Sequence, residues 1–436
     1  MRRAFVHVGM PRTGSTTFQH IMFHHRAALA GAGVLYPDLT PRSAAAAPHI
    51  NHQHLGEALD GRRPQREAVE LLGRLDEGLR RTDADVVLLS YEGFIQQKLA
   101  PRISQRLRAV FDRHGFRMEA AAAVKPQAEM LNSLYAHRLQ LMLEKRLFAG
   151  FAAAMEGSAR FDYHRLVLPW LHACDGRVHA VPLRAADDPA PLVERLLRAL
   201  GLQGRIAPIL AAGEARRVEN RSPGPVAAEV SRRLRLLRAH TRLRVSPREM
   251  MRAVEGAAQE RGLDRMGFRG VDPALRDRMA ARHHDGNARF AAAVWGRDWS
   301  AVVAPEPETA VNEVARLPLD PAMGGHVEAI LHEACAQPGA ATAPISADSR
   351  PRVASRKGGM GHLRCGCPLG PFRSRPASVA PTSCQLPFAL AASVSASRRR
   401  GIEGPQAQPL PRLDRYDASA ARRDGRAGMK RLERHW

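Results

Sequence analysis

Cysteine and aromatic residues are both scarce in this chain of 436 residues. The cysteines are Cys174, Cys335, Cys365, Cys367 and Cys384. Their scattered positions fit neither a disulfide-rich domain nor paired CxxC zinc motifs. Aromatic residues make up 5% of the chain, which leaves few platforms for stacking single-stranded nucleic acid. No apolar run approaches the roughly 18 residues of a membrane span, and the short apolar segment after Met1 is too short for a secretory signal. We therefore expect a soluble, cytoplasmic protein with no transmembrane segment and no metal site.

Positive charge is concentrated toward the C-terminal end. From residue 350 onward the chain holds 18 Arg and Lys against 5 Asp and Glu, more than half of its net charge of +23. From residue 339 Pro, Ser, Ala and Arg dominate without periodicity, a composition typical of disorder. A basic tail attracts polyanions without sequence preference, so it does not indicate a specific nucleic-acid partner. We predict an α/β domain over residues 1–303, a linker that can carry one short helix over 304–338, and a low-complexity, disordered basic tail over 339–436.

Short apolar strands alternate with longer helical patterns over the first 200 residues. Strands are predicted at residues 4–9, 34–36, 86–89, 118–124 and 177–182. Helices are predicted at residues 127–147, 226–240, 247–261 and 273–295, among others. Strands that alternate with helices predict a three-layer α/β/α fold with a central parallel sheet.

The strongest local signal follows the first predicted strand. Residues 9–17 read Gly-Met-Pro-Arg-Thr-Gly-Ser-Thr-Thr, a turn with two glycines before a helix start. Successive main-chain N–H groups and a helix N-terminus form an anion site there. A loop that binds ATP or GTP has Lys directly after the second glycine, but here Ser15 holds that position and the cation is Arg12. The loop therefore favours a smaller anion at the 5′ end of a nucleotide over a triphosphate with Mg²⁺.

Residues Pro11 to Thr16 resemble the 5′-phosphosulfate loop of sulfotransferases that use 3′-phosphoadenosine 5′-phosphosulfate, in which Lys is commoner than Arg at the second position. The likeness is to bacterial members of carbohydrate or cell-surface type, and it extends over about residues 4–299. It implies a P-loop-like fold and transfer of a sulfuryl group to a hydroxyl acceptor, a glycan or glycolipid, without a metal. The donor-binding residues that it implies are Pro11, Arg12, Thr13, Gly14, Ser15, Thr16, Thr17, Lys125 and Ser133.

A second segment supports the resemblance. Lys125 ends the fourth predicted strand, and Ser133 follows eight residues later on a helix. In the family, an Arg and a Ser at these places hold the 3′-phosphate of the nucleotide. Lys125 supplies charge without the planar fork of a guanidinium, so the resemblance implies weaker or looser binding there.

The proposed chemistry needs a cation and a base. Sulfuryl transfer depends on positioning and on stabilising the charge that develops on the leaving oxygen, the role we expect for Arg12. The acceptor hydroxyl needs a general base. Glu92 follows a buried strand at the end where open α/β sheets bind ligands, and bacterial family members often have Ser-x-Glu here. His52 and His54 are alternative bases, because histidine titrates near neutral pH.

Two other functions stay open at this point. One is a nucleotide-dependent kinase or NTPase, which the serine at the Lys position of the loop disfavours. The other is a non-catalytic nucleotide-binding protein of the same fold. Residues 356–361, Arg-Lys-Gly-Gly-Met-Gly, resemble a loop that closes on the 3′-phosphate in cytosolic sulfotransferases, but they lie in the low-complexity tail and we attribute the match to chance.

Overall fold

The first strand of the chain lies at the centre of a parallel sheet. The computed structural model describes residues 1–10, 12–42, 49–95, 99–216, 221–237, 241–242, 245–305, 307, 310–312, 320–336 and 343–344. The strands of the sheet are β1 (Arg2–His7), β2 (Val34–Leu35), β3 (Val86–Ser90), β4 (Phe116–Val124) and β5 (Val178–Pro182). Their order is β2-β3-β1-β4-β5, and every pair is parallel. The chain runs from β1 outward to β2, returns to β3 and then crosses β1 to reach β4 and β5. The strand order thus reverses around β1, and such a position binds ligands at the carboxyl ends of the strands.

Helices cover both faces of this sheet. The helices of the described residues, including those that do not cover the sheet, are α1 (Ser15–His24), α2 (Arg26–Gly31), α3 (Gln53–Leu59), α4 (Gln65–Arg81), α5 (Ala100–Arg113), α6 (Gln127–Gln140), α7 (Phe148–Met155), α8 (Tyr163–Ala173), α9 (Leu192–Ala199), α10 (Gln203–Ile206), α11 (Pro225–Leu237), α12 (Pro247–Glu260), α13 (Pro273–Trp295), α14 (Trp299–Val302) and α15 (Pro321–Ala336). Successive residues of β1 point to opposite faces: Ala4 and Val6 belong to the apolar core with α4, α5 and α8, whereas Phe5 packs with α1 and α9. The predicted three-layer α/β class is confirmed.

The long helix predicted over residues 127–147 is wrong, because α6 ends at Gln140. Met142 adopts a left-handed φ of 50°. The buried Glu144 carboxylate then accepts hydrogen bonds from the main-chain N–H groups of Lys145 and Arg146 at 3.1 and 3.0 Å. A carboxylate that binds nearby main-chain donors competes with helix continuation. The helices predicted at 247–261 and 273–295 are confirmed as α12 and α13.

Three helices of the C-terminal half share a separate apolar cluster. Leu234 of α11, Val254 of α12 and Ile330 of α15 are buried in it. The carboxylate of Asp264 accepts hydrogen bonds of 2.8 Å from each of the first free N–H groups of α11, those of Val226 and Ala227. A two-residue antiparallel pair, β6 (Thr241–Arg242) with β7 (Ala343–Pro344), lies in the same half of the chain.

The predicted tail over residues 339–436, including the Arg-Lys-Gly segment at 356–361, lies outside the described residues apart from β7. Within the described segments, no helix combines the length and the apolar character needed to cross a membrane.

A buried carboxylate ties three strands of the sheet together. Glu119 of β4 is 2% exposed and accepts hydrogen bonds from Arg3 of β1 at 3.1 Å to each oxygen. Arg117 donates to the same carboxylate at 3.0 Å, and His179 of β5 lies 2.7 Å from it. Burial by itself raises the pKa of Glu119, but the hydrogen bonds from Arg3, His179 and Arg117 outweigh it and lower the pKa to about 2.

We expect Glu119→Gln to destabilise the protein by about 3 kcal/mol at pH 7, because it leaves two guanidinium groups against a neutral amide. The folded-state pKa lies below the ordinary value of 4.5, so this stabilisation is complete above pH 4.5 and declines as the pH falls toward 2. Urea unfolding of both proteins at pH 7 and pH 3.5 measures it. Glu77→Gln, which removes an exposed partner of Arg80, is the control and should change stability little. Equal losses in the two variants would contradict the role of Glu119.

Candidate functional site

The loop that leaves β1 forms a left-handed turn and opens α1. Arg12 has a φ of 64° and Gly14 a φ of 85°. A Cβ atom at Gly14 would also lie 2.8 Å from Cδ2 of Leu192, so the position requires glycine. Helix α1 begins at the next residue, Ser15, and the first main-chain N–H groups of a helix have no partner within it. The turn therefore leads into a helix N-terminus, the feature on which the predicted anion site depends, and that site stays a prediction.

The hydroxyl residues of this loop differ in their surroundings. Thr13 is buried, and its hydroxyl donates to the Met10 carbonyl at 2.7 Å, which closes the turn. Ser15 and Thr17 are buried in the first turn of α1, and Thr16 is half-buried. Pro11 lies outside the described residues.

Lys125 joins the end of β4 to this loop. Its side chain is 2% exposed, and its ammonium group donates to the Arg12 carbonyl at 2.9 Å and to the Ser133 hydroxyl at 2.7 Å. The Glu129 carboxylate lies 4.0 Å from the same nitrogen. The two residues that the resemblance assigns to the 3′-phosphate thus lie together, and one of them also holds the main chain of Arg12.

Glu92 lies on the other side of the loop. It begins a short 3-10 turn directly after β3, and its Cγ and the Ser15 hydroxyl both approach Gly9, within 3.1 and 3.0 Å of a Cβ placed there. Burial raises the pKa of Glu92, while the nearby Ser15 hydroxyl and the Arg12 charge oppose that rise. Burial also lowers the pKa of Arg12, and Glu92 opposes that change. The charges of Glu92 and Arg12 thus each act on the pKa of the other.

His52 is a structural bridge in this arrangement. Its ring is 2% exposed, and Nδ1 accepts a hydrogen bond of 2.9 Å from the main-chain N–H of Ser90. The ring proton then resides on Nε2, which lies 3.0 Å from the Pro37 carbonyl. Burial lowers the pKa of His52 to about 4. Both nitrogens are engaged with the main chain, so this geometry favours Glu92 over His52 as a base. His54 is also buried, with its ring 4.5 Å from that of His49.

The ring of Tyr91, the residue before Glu92, is held between two glycines. A Cβ atom at Gly56 or at Gly93 would lie 2.3 Å from carbon atoms of this ring. The Tyr91 hydroxyl accepts a hydrogen bond of 3.1 Å from Arg62. The absence of side chains at the two glycines therefore fixes the direction in which the chain enters the Glu92 turn.

Two further residues of the site were missed in the sequence. Arg184, two residues after β5, forms a bidentate ion pair with Glu129 at 2.5 and 3.2 Å. His137 lies one turn after Ser133 on α6; burial and the positive charge of Arg12 lower its pKa to about 4. Arg184 could have been found as a charged residue just past a predicted strand. His137 could have been found from its spacing of four residues from Ser133, which places both on one side of a helix. The carboxyl ends of four adjacent strands thus supply Glu92, Arg12, Lys125 and Arg184.

This arrangement can bind an anion, stabilise negative charge and accept a proton. Main-chain donors and the Arg12 guanidinium are suited to the first two roles, and the Glu92 carboxylate is suited to the third. In the part of the chain that the structure describes, no group of three or more His, Cys, Asp or Glu side chains is arranged to hold a metal ion.

No protein-family model matches the chain, and no curated protein matches its sequence. Among solved structures, the chain is similar to the crystal structure of a sulfotransferase from Alicyclobacillus acidocaldarius. The alignment covers 69% of this chain and 98% of that one, with 14% identity and a TM-score of 0.38. Similarity at this level does not identify a function, which is therefore argued from the residues of the site.

We expect Gly56→Ala to destabilise the protein by about 1–3 kcal/mol, because the new methyl group overlaps the Tyr91 ring. Gly73→Ala is the matched control: Gly73 lies in α4 with open space around it, so alanine should stabilise the helix by about 0.5–1 kcal/mol. Urea unfolding measures both. A stabilising effect of Gly56→Ala would show that the Tyr91 ring does not occupy this position.

Proposed function

We propose that this protein is a sulfotransferase that moves a sulfuryl group from 3′-phosphoadenosine 5′-phosphosulfate to a hydroxyl acceptor, a glycan or glycolipid. The observation that carries the proposal is the environment of Arg12. Arg12 lies in the left-handed turn before the N-terminus of α1, its carbonyl accepts a hydrogen bond from Lys125, and its charge acts on the Glu92 carboxylate. The resemblance of residues 11–16 to the phosphosulfate loop supports the choice of donor.

The donor would be held at its two ends. Main-chain N–H groups from Thr13 to Thr17 would bind the 5′-phosphosulfate, with Arg12 next to the bridging oxygen. Ser133 and Lys125 would hold the 3′-phosphate; their proximity of 2.7 Å supports this assignment. Lys125 also donates a hydrogen bond to the Arg12 carbonyl, so a 3′-phosphate bound by Lys125 would contact the residue that holds the loop in shape.

The position of Glu92 argues against a triphosphate. In ATP- and GTP-binding loops the residue after the second glycine is a lysine that neutralises phosphate charge. Here that residue is Ser15, and Ser15 and Glu92 both lie next to Gly9. A carboxylate at this place repels the β- and γ-phosphates of ATP, so the loop suits a less charged anion.

Glu92 is the general base of the proposal. As the acceptor oxygen bonds to sulfur, its proton passes to the Glu92 carboxylate, and the bridging oxygen leaves with the adenosine bisphosphate. Arg12 stabilises the negative charge that grows on that leaving oxygen. Burial raises the pKa of Glu92, which makes the carboxylate a stronger base than one in water.

We expect Arg12→Ala to lower sulfate transfer by on the order of 10²-fold or more, because one stabilising donor of the transition state is lost. Transfer to a panel of glycans, detected by mass spectrometry, measures the rate. Arg26→Ala, at a half-exposed ion pair with Asp38, is the control and should keep wild-type activity. Unchanged activity of Arg12→Ala would defeat the mechanism.

Calorimetric titration separates the three candidate functions. The proposal expects adenosine 3′,5′-bisphosphate to bind much more tightly than ATP, together with sulfate transfer. Tight ATP binding with Mg²⁺-dependent hydrolysis would instead indicate a kinase or NTPase. Tight bisphosphate binding without transfer to any acceptor would indicate a non-catalytic protein.

The pH dependence of the rate should report Glu92. Only the ionised carboxylate accepts a proton, so kcat/KM should rise as the pH increases through the pKa of Glu92, which burial raises above its ordinary 4.5. Glu92→Gln should remove this acid limb along with most of the activity. The limb should persist in His52→Asn, and its loss in that variant would assign the base to His52.

A further inference from the structure

Ser90 is the last residue of β3 and lies two positions before Glu92. It is fully buried, at 0% exposure. Its hydroxyl lies 2.8 Å from Nδ1 of His7 and accepts a hydrogen bond of 3.1 Å from the Gln19 amide. Its main-chain N–H donates to Nδ1 of His52 at 2.9 Å, and its carbonyl accepts from the His52 N–H at 2.8 Å. All the polar groups of this small residue are therefore engaged.

The partners of Ser90 come from the segments that border the site. His7 is the last residue of β1, directly before the anion loop. Gln19 lies on α1, one turn after Ser15, and its oxygen accepts a hydrogen bond of 3.3 Å from Asn51. His52 precedes α3 and reaches the Pro37 carbonyl. Ser90 thus cross-links the strand that carries Glu92 to the loop, to its helix and to residues 37–52.

The hydrogen bonds between Ser90 and the two histidines do not change as the pH varies around neutrality. Burial lowers the pKa of both His7 and His52 to about 4, so the two rings are neutral there. Removing a buried hydroxyl that serves two partners would leave the His7 ring and the Gln19 amide without this contact, and such loss is costly inside a protein. The main-chain bonds of Ser90 to His52 remain, but the side-chain link from the strand end to α1 is lost, which allows the Glu92 turn to shift relative to α1.

We infer that Ser90 is a positioning residue that holds the Glu92 turn beside Ser15 and the loop that carries Arg12. Its kinetic consequence rests on the proposed function, but its structural consequence does not. Arg12 of the loop is the charged group that acts on the Glu92 pKa, and the Ser15 hydroxyl of α1 lies beside Glu92 at Gly9. A displacement of Glu92 from either group changes the free energy of its ionised form and therefore its pKa.

Ser90→Ala tests the inference, with Ser104→Ala as the matched control. Ser104 of α5 is 1% exposed, and its hydroxyl donates to the Pro101 carbonyl at 3.2 Å, a bond within its own helix. The pKa of Glu92 is read by NMR of protein labelled with ¹³C in the glutamate carboxyl group, with the signal assigned through Glu92→Gln. We expect the Glu92 pKa to shift in Ser90→Ala and to keep its wild-type value in Ser104→Ala, although both variants lose stability.

Sulfate transfer supplies the second measurement. A displaced base should lower kcat by about 10- to 10²-fold with little change in the KM for the donor, and Ser90→Thr, which keeps the hydroxyl, should restore part of it. An unchanged Glu92 pKa in Ser90→Ala overturns the inference. If the Glu92 pKa shifts in Ser90→Ala but the wild-type protein transfers no sulfate, the proposed function is rejected and the positioning role of Ser90 stands.

If Ser90→Ala does not fold, a second variant tests the same inference. Gln19→Met removes the donor to the Ser90 hydroxyl and keeps the volume of this buried side chain. It should shift the Glu92 pKa in the same NMR experiment, and an unshifted value there also overturns the inference.

Discussion

The hydrogen bond from the Lys125 ammonium to the Arg12 carbonyl is the contact on which the candidate site depends. Arg12 adopts a left-handed conformation that a non-glycine residue takes up only when its surroundings enforce it. Lys125 reaches it from the neighbouring strand and is itself fixed by Ser133. A compact ammonium group fits between a carbonyl and a hydroxyl, where a planar guanidinium needs more room. This explains how a lysine can stand where the resembling family has an arginine.

The site is supported from both flanks of the central strand. On the β4 side, Lys125 holds the loop that carries Arg12. On the β3 side, Ser90 connects the Glu92 turn with α1 and with His52. The groups that would perform chemistry lie between these two supports, at the place where the strand order reverses. The position of the site thus follows from topology, and its detailed geometry follows from a few buried polar contacts.

Local patterns were enough to predict the sheet, the glycine-containing turn before α1 and several helices. Periodicity identifies α12 and α13, and the glycines at 9 and 14 identify the loop, because these signals lie within a few neighbouring residues. The end of α6 was missed because it depends on the Glu144 carboxylate folding back onto its own main chain. The role of His52 was missed for a different reason. Its partners, Pro37 and Ser90, are 15 and 38 residues away, and no spacing rule reports such a contact.

The strand order also determines when the site comes into existence. Arg12, Glu92, Lys125 and Arg184 follow four different strands, so no short fragment of the chain contains them together. Pairing of parallel strands that are distant in the chain requires closing long loops, which makes such folds slow to form. A nascent chain acquires the anion loop early but cannot complete its surroundings until β5 has been synthesised and has joined the sheet. The complete set of site residues would therefore come together late in folding and serve as a sensitive reporter of a fully assembled sheet.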